Sequence, residues 1–336
     1  MGAWTSAAIG VAARLGVADV LEDGPATSAE LAKVLGVDPD ATTPLMKALI
    51  EVGIFAQDEE GRFTNSALSE QLRTRHPESL RHVSILTTGL YAQAACGGLL
   101  QAVQTGKPAL PFQFGVPLYE YLEQDAETAR IFDRAMQELA RPVGTTLAQH
   151  YPFQTERLVI DVGGGNGELL KGILSARPEL RGICVDRPDT CRRAEANLRE
   201  SEDHDLIERL TFHPADIFDE CPGGGDLYIL KNVLHDWSSE SAVRILSNIG
   251  DAMRAGSGND QNPVLLVIDP LLEYDAGASL RPLIKMVIGE KNTRERSAAD
   301  MRRETADAGL QILSITPLPP DLTVVACTLA SQNFGG

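Results

Sequence analysis

Residues 158–170 read LVIDVGGGNGELL, and this stretch decides the fold. The run LVIDV has the length and β-branched content of a buried strand. Gly163, Gly164, Gly165 and Gly167 crowd the turn behind it, and GELLKGILSAR (167–177) has helical spacing. Strand, glycine turn and helix form the first unit of a doubly wound sheet, whose ligands bind at the carboxyl edge. The alternation continues downstream. RGICVD (181–186), RLTFHPAD (209–216), DLYILKN (226–232) and PVLLVID (263–269) read as strands. PDTCRRAEANLRES (188–201), SSESAVRILSNIGDAMRAG (238–256) and SAADMRRETADAG (297–309) read as helices, and two strand-like runs close the chain. The spacing therefore predicts an α/β, mostly parallel, Rossmann-like sheet over 142–336.

The glycine turn has the wrong spacing for a dinucleotide. In G-x-G-x-x-G the last glycine would fall on Glu168 or Leu170. A phosphate loop is excluded because Gly-Lys-Ser/Thr is missing. Asp161 at the loop entrance would repel a pyrophosphate and attract an ammonium. Asp186 ends the second strand, where a carboxylate accepts hydrogen bonds from ribose hydroxyls. Asp216 ends the third, followed by Ile217 and Phe218, a pattern suited to an adenine amino group and ring. The ordered set points to a nucleoside with a cationic amino-acid tail and no phosphate. S-adenosylmethionine (SAM) has that chemistry.

The first third reads as helices. Trp4, Ala7, Ala8, Val11, Ala12 and Leu15 recur at helical spacing. Ser28 opens a short helix, Gly36-Val37-Asp38 makes a turn, and a second helix runs through Leu45, Leu49 and Val52. FAQDEEGRFTNS then reads as a hairpin, so the outline is a winged helix. Ten acids oppose four bases over residues 1–65. Phosphate neutralisation dominates DNA affinity, so this charge balance favours a structural or dimerising module. AETARIFDRAMQELAR (126–141) is an amphipathic helix with Ala129, Phe132, Met136 and Leu139 on one stripe. The expected domains are 1–141 and 142–336.

The whole chain carries 30 Lys+Arg against 47 Asp+Glu, a net charge of −17. That argues against a nucleic-acid or anionic-membrane partner. Five cysteines without a C-x-x-C pair, and no secretory or 18-residue apolar run, predict reduced thiols in a cytoplasmic protein. His76, His82, His150, His204 and His213 show no metal-ligand spacing, and no metal is expected.

LKNVLHDWSSE (230–240) places His235 just past the end of a buried strand, and serines start a helix behind it. VIDVGGGNGELL, PADIF and LKNVLHDWS occur in this order, and with them nearly the whole chain resembles a known family. It is that of the class I SAM-dependent O-methyltransferases of the caffeate, hydroxyindole and bacterial polyketide-tailoring type. The resemblance implies an N-terminal domain that dimerises and covers the substrate pocket. It implies methylation of a phenolic hydroxyl of a small aromatic natural product, with His235 as general base. Asp269 and Glu295 would flank that histidine, either of them orienting it. Asp161, Gly163, Gly165, Asp186, Arg187, Asp216, Ile217 and Lys231 would line the cofactor. Trp237 is placed with them, against the adenine, though it could equally fill core. Phe132, Met136 and Asp236 would meet substrate; Asp236 also has a helix-capping reading. The chain departs from the family at 282–297, where an apolar helix and a glycine-rich turn are usual: Lys285, Glu290 and Lys291 interrupt the pattern. Alternatives are a same-fold enzyme using SAM for decarboxylation, hydroxylation or cyclisation, or carboxylate O-methylation.

Overall fold

The structure is a computed structural model that describes residues 2–256, 262–274, 281–319 and 322–331. The chain forms two compact units, residues 1–97 with 122–139, and residues 98–121 with 140–336. The segment 98–121, assigned from sequence to the front domain, thus folds with the second unit.

In the first unit, Thr27 and Glu30 close a capping box at the start of Ser28–Leu35, and Gly36 ends that helix at φ +68°. Asp38 caps the next helix, Pro39–Glu51, by accepting the Ala41 N–H at 2.9 Å. Strands β1 (Phe55–Gln57) and β2 (Phe63–Asn65) pair antiparallel and complete the winged-helix outline. Leu31, Met46, Leu49, Phe55 and Phe63 form the core. Two expected apolar stripes are rotated. Met46 and Leu49 point inward while Val52 is exposed, and Ala12 and Ala13 are buried while Trp4 and Val11 are exposed. Small alanines let the first helix pack closely, which turns its bulky residues outward. Leu139 is exposed too, and its buried neighbour Glu138 does different work. Glu138 accepts the N–H groups of His82 (3.1 Å) and Val83 (3.0 Å) at the start of helix Arg81–Thr88, whose N-cap residue, Leu80, has no side-chain acceptor.

Helix Ala126–His150 runs nine residues past the expected end and contains Pro142. A proline costs a helix one hydrogen bond. Here burial of Val143 and Leu147 against Leu169, Leu170 and Ile173 outweighs that loss. Gly144 permits the approach, since a Cβ there would lie 2.5 Å from the Leu169 carbonyl.

The second unit holds a seven-stranded sheet. In chain order its strands are β3 (Leu158–Val162), β4 (Arg181–Asp186), β5 (Leu210–Pro214), β6 (Leu227–Lys231), β7 (Val264–Asp269), β8 (Leu310–Leu318) and β9 (Leu322–Leu329). The spatial order is β5-β4-β3-β6-β7-β9-β8. β3 to β7 are parallel, and β9 runs antiparallel to both β7 and β8. Both faces are covered, so the strands alternate between two cores rather than between core and water. Tyr228 and Leu230 pack with Ile245, Leu246, Ile249 and Met253 of helix Ser239–Gly256. Leu227 and Ile229 pack with Leu170, Ile173 and Leu174 of helix Glu168–Ala176. Strand order reverses between β3 and β6, which makes their carboxyl ends the switch point where open sheets take ligands.

Candidate active site

The glycine loop wraps over Asp161. Gly163 and Gly164 donate to the Val185 carbonyl at 2.8 and 3.2 Å, tying the loop to β4. Gly163 has φ +71°, and a Cβ there would lie 2.8 Å from Val233. A Cβ at Gly164 would lie 2.6 Å from Asp161 Oδ2. Loop, β3 and β6 therefore close together only with glycine at these positions.

Asp186 Oδ2 accepts the Gly165 N–H at 2.9 Å, and its Oδ1 accepts the Arg187 N–H at 2.8 Å. Asp216 Oδ1 accepts the Phe218 N–H at 2.9 Å, and Phe218 meets Trp237 edge to face at 4.8 Å. The Arg187 guanidinium lies 4.8 Å from the centre of the Tyr119 ring.

Asp161 is buried, and its Oδ2 has no hydrogen-bond partner among the described residues. Burial pushes its carboxyl up to about 7, against the pull of Lys231. The same burial pushes Lys231 down, opposed by Asp161 and Asp269. Asn232 follows at φ +54°, and its buried Oδ1 is likewise unmatched among the described residues. Buried acceptors without donors are costly. Their grouping beside the glycine loop fits a ligand with a cationic, donor-bearing tail.

His235 sits in a short 3₁₀ turn, Leu234–Asp236, directly past β6. Its Nδ1 lies 3.2 Å from Asp269 Oδ1 at the end of neighbouring β7, and its Nε2 lies 3.8 Å from Asp236 Oδ2. Burial pushes Asp269 up to about 7, with Arg296 opposing most strongly. Asp236 goes the other way. Burial works against its charge, but His235, Lys285 and Tyr119 outweigh it and hold the carboxyl below its usual range. Tyr119 Oη donates to Asp236 Oδ2 at 3.1 Å, and Lys285 Nζ pairs with Oδ1. Glu295 lines the same pocket as His235 and Asp269.

Several residues that sequence reading passed over hold this turn. Arg296 is buried; its guanidinium donates to Glu304 Oε2 (2.6 Å) and to the carbonyls of Leu234 (2.5 Å), Trp237 (3.1 Å) and Ser238 (3.3 Å). Its only sequence signal is its place beside Glu295. Glu290 accepts from the Ser238 N–H (2.7 Å) and the Ser241 hydroxyl (3.0 Å), and its own N–H donates to the Asp236 carbonyl (3.0 Å). Ser238 caps Ser239–Gly256 by accepting the Ser241 N–H at 3.2 Å. Lys285 and Glu290, which break the expected apolar pattern, are therefore the residues that bind this stretch to the His235 turn.

Phe132 and Met136 stand half-buried on helix Ala126–His150 in the first unit. Ile217 packs against the core around Tyr228 and Leu230. His82 and His213 each meet a carboxylate, Glu138 at 2.8 Å and Glu220 at 3.0 Å. Among the described residues, no three His, Cys, Asp or Glu side chains converge as a metal site. The five cysteines are free thiols, of which Cys96 is exposed.

Sheet order, glycine loop and the histidine turn at the switch point define a class I SAM-dependent methyltransferase. Comparison with known proteins narrows the class. Residues 97–311 match the O-methyltransferase domain, and residues 1–75 match the O-methyltransferase dimerisation domain. The chain is 33% identical over 326 residues to the O-demethylpuromycin-O-methyltransferase of Streptomyces alboniger, covering 95% of this chain and 84% of that one. It is 32% identical over 318 residues to the 8-amino-8-demethylriboflavin N,N-dimethyltransferase of Streptomyces davaonensis, covering 94% and 89%. Among solved structures it resembles NcsB1, an O-methyltransferase from neocarzinostatin biosynthesis in complex with SAM and 2-hydroxy-5-methyl naphthoic acid. There the TM-score is 0.78 at 31% identity, covering 97% of this chain and 96% of that one. The chain belongs to the O-methyltransferase family: it is a SAM-dependent O-methyltransferase of the kind that tailors secondary metabolites, and its front segment is that family's dimerisation domain.

Proposed function

We propose that this enzyme methylates a phenolic hydroxyl of a small aromatic metabolite, with His235 as general base. The observation that carries the reading is the placement of His235 at the switch point. Nδ1 lies 3.2 Å from Asp269 Oδ1, and Nε2, 3.8 Å from Asp236 Oδ2, is the ring nitrogen that would take the substrate proton. A phenol has pKa about 10, so at pH 7 roughly a thousandth is ionised. A histidine, with an ordinary pKa of about 6.5, is the natural acceptor.

When bound, SAM supplies a methyl group already activated by the sulfonium. Gly163, Gly165, Asp186, Arg187, Asp216, Ile217, Lys231 and Trp237 would hold it, with Asp161 beneath its cationic tail. The chain's remaining work is to align the nucleophile and remove its proton. Asp269 would fix the imidazole tautomer and stabilise the imidazolium, as orienting carboxylates do. Glu295 would add negative charge to the same wall. Asp236, and Phe132 and Met136 from the front unit, would contact substrate. The front unit would also form a homodimer: Trp4 (84% exposed) and Leu90 (84%) leave apolar surface there that a second copy can cover.

The test is transfer of labelled methyl from SAM into a panel of aromatic phenols. Cofactor binding without transfer to any oxygen acceptor would sink the reading, and absence of transfer to any acceptor at all would favour a non-methylating use of SAM. A second reading, N-methylation of an arylamine, is favoured by the N,N-dimethyltransferase relative. Matched anilines in the same panel separate the two.

A further inference from the structure

The pocket beside His235 is walled by Asp269, Pro270, Lys285, Arg294, Glu295 and Arg296. Three of these are cations, and two are engaged elsewhere. Arg296 is committed to Glu304 and three carbonyls. Arg294 pairs with Asp300 and is more than half exposed. Lys285 differs. Its side chain is 16% exposed, and its hydrogen-bond partner among the described residues is Asp236. An ammonium has three donors, and this one lines the pocket beside His235. The two oxygens of Asp236 hold Lys285 on one side and face His235 Nε2 on the other. An oxygen presented to Nε2 thus has the Lys285 ammonium one carboxylate away.

We propose that Lys285 selects an acidic substrate, binding a carboxylate ortho to the hydroxyl that His235 deprotonates. Asp236 would repel such an anion, but its charge is already shared between Lys285 and the Tyr119 hydroxyl. Asp269, pushed up to about 7, adds less than a full negative charge at neutral pH, which makes Glu295 the carboxylate on this wall that Lys285 must offset. The inference deepens the proposed function and rests on His235 receiving the substrate hydroxyl.

The probes are 1-hydroxy-2-naphthoate and 1-naphthol, which differ only in the carboxylate. Each is titrated calorimetrically into the full-length enzyme saturated with S-adenosylhomocysteine. A charge-assisted hydrogen bond predicts about 10- to 100-fold tighter binding of the naphthoate. Lys285→Met should weaken naphthoate binding by more than it weakens 1-naphthol binding, so that the ratio between the two probes falls to about one, and Lys285→Arg should keep part of that ratio. Lys285→Gln, checked by thermal melting, guards against a misfolded methionine variant. Equal binding of both probes, no binding of the naphthoate, or a preference that survives Lys285→Met overturns the proposal. Labelled transfer to both probes is read in parallel. A lysine-dependent preference without transfer counts against the methylation reading alone, and transfer without preference counts against Lys285 alone.

Discussion

His235 Nδ1 lies 3.2 Å from Asp269 Oδ1, although the two stand 34 positions apart: Asp269 ends β7, and His235 lies in the turn just past the neighbouring parallel strand β6. The pair is a product of strand order: β6 and β7 are neighbours, so their carboxyl ends present both side chains to one point. If His235 is the base, His235→Ala should lower kcat by about 10²-fold or more. S-adenosylhomocysteine affinity, measured by calorimetry, should stay nearly unchanged. Undiminished turnover would remove His235 from the mechanism.

Asp269 makes stability depend on pH. Its carboxyl is pushed up from 3.8 to about 7 by burial. A raised pKa means that the native state holds the proton more tightly than the unfolded chain does. The contribution is complete below about 4 and is lost as pH rises through 7. Asp269→Asn removes the buried charge, so it should unfold at a higher Tm than the native protein at pH 8. The gap, on the order of 1–4 kcal/mol, should close by pH 4. The same variant should be a poorer catalyst. A gap that does not change with pH would contradict the burial argument.

Arg296 is a buried cation with four acceptors. Arg296→Met leaves the Glu304 carboxylate and three carbonyls without it, and breaking a buried pair costs about 3–5 kcal/mol. The midpoint of urea unfolding should fall accordingly. Arg296→Lys should recover only part, because an ammonium cannot reproduce the planar fork. Full recovery by lysine would mean that charge alone matters there.

Two adjacent glycines should separate by mechanism. Gly164→Ala forces a methyl within 2.6 Å of Asp161 and 2.8 Å of Cys184, so the loop must shift. S-adenosylhomocysteine affinity should fall at least about 10-fold, since a misplaced loop loses a charge-assisted contact or more. Gly165 has φ +62° and open space around its Cβ position. Gly165→Ala should therefore cost only the left-handed backbone penalty, about 1–2 kcal/mol, with the larger share seen in Tm. Equal binding losses for both variants would place the constraint in the backbone rather than in the packing.

Local pattern carried most of the fold. Strands such as LYILK are buried on both faces, so they appear as continuous apolar runs, and the glycine turn marks where the first strand meets its helix. The front helices were legible as helices, but not their inward faces: close packing of Ala12 and Ala13 turned Trp4 and Val11 outward. The end of helix Ala126–His150 was also hidden, because its continuation past Pro142 depends on Gly144 meeting Leu169 and Gly172.

The sequence by itself determined the doubly wound class, the glycine turn after the first strand of the sheet and the place of His235 just past a buried strand. These depend on neighbours within a few residues, where spacing along the chain is also spacing in space. The resemblance already put Asp269 and Glu295 beside His235, and only the tertiary structure decided how its other neighbours converge. Asp269 comes from the next strand, Tyr119 from a segment over a hundred residues upstream, and Lys285, Glu290 and Arg296 from a stretch that in sequence looked like a break in pattern. A buried charge is stable only where its partners converge, and that convergence is set by strand order and packing.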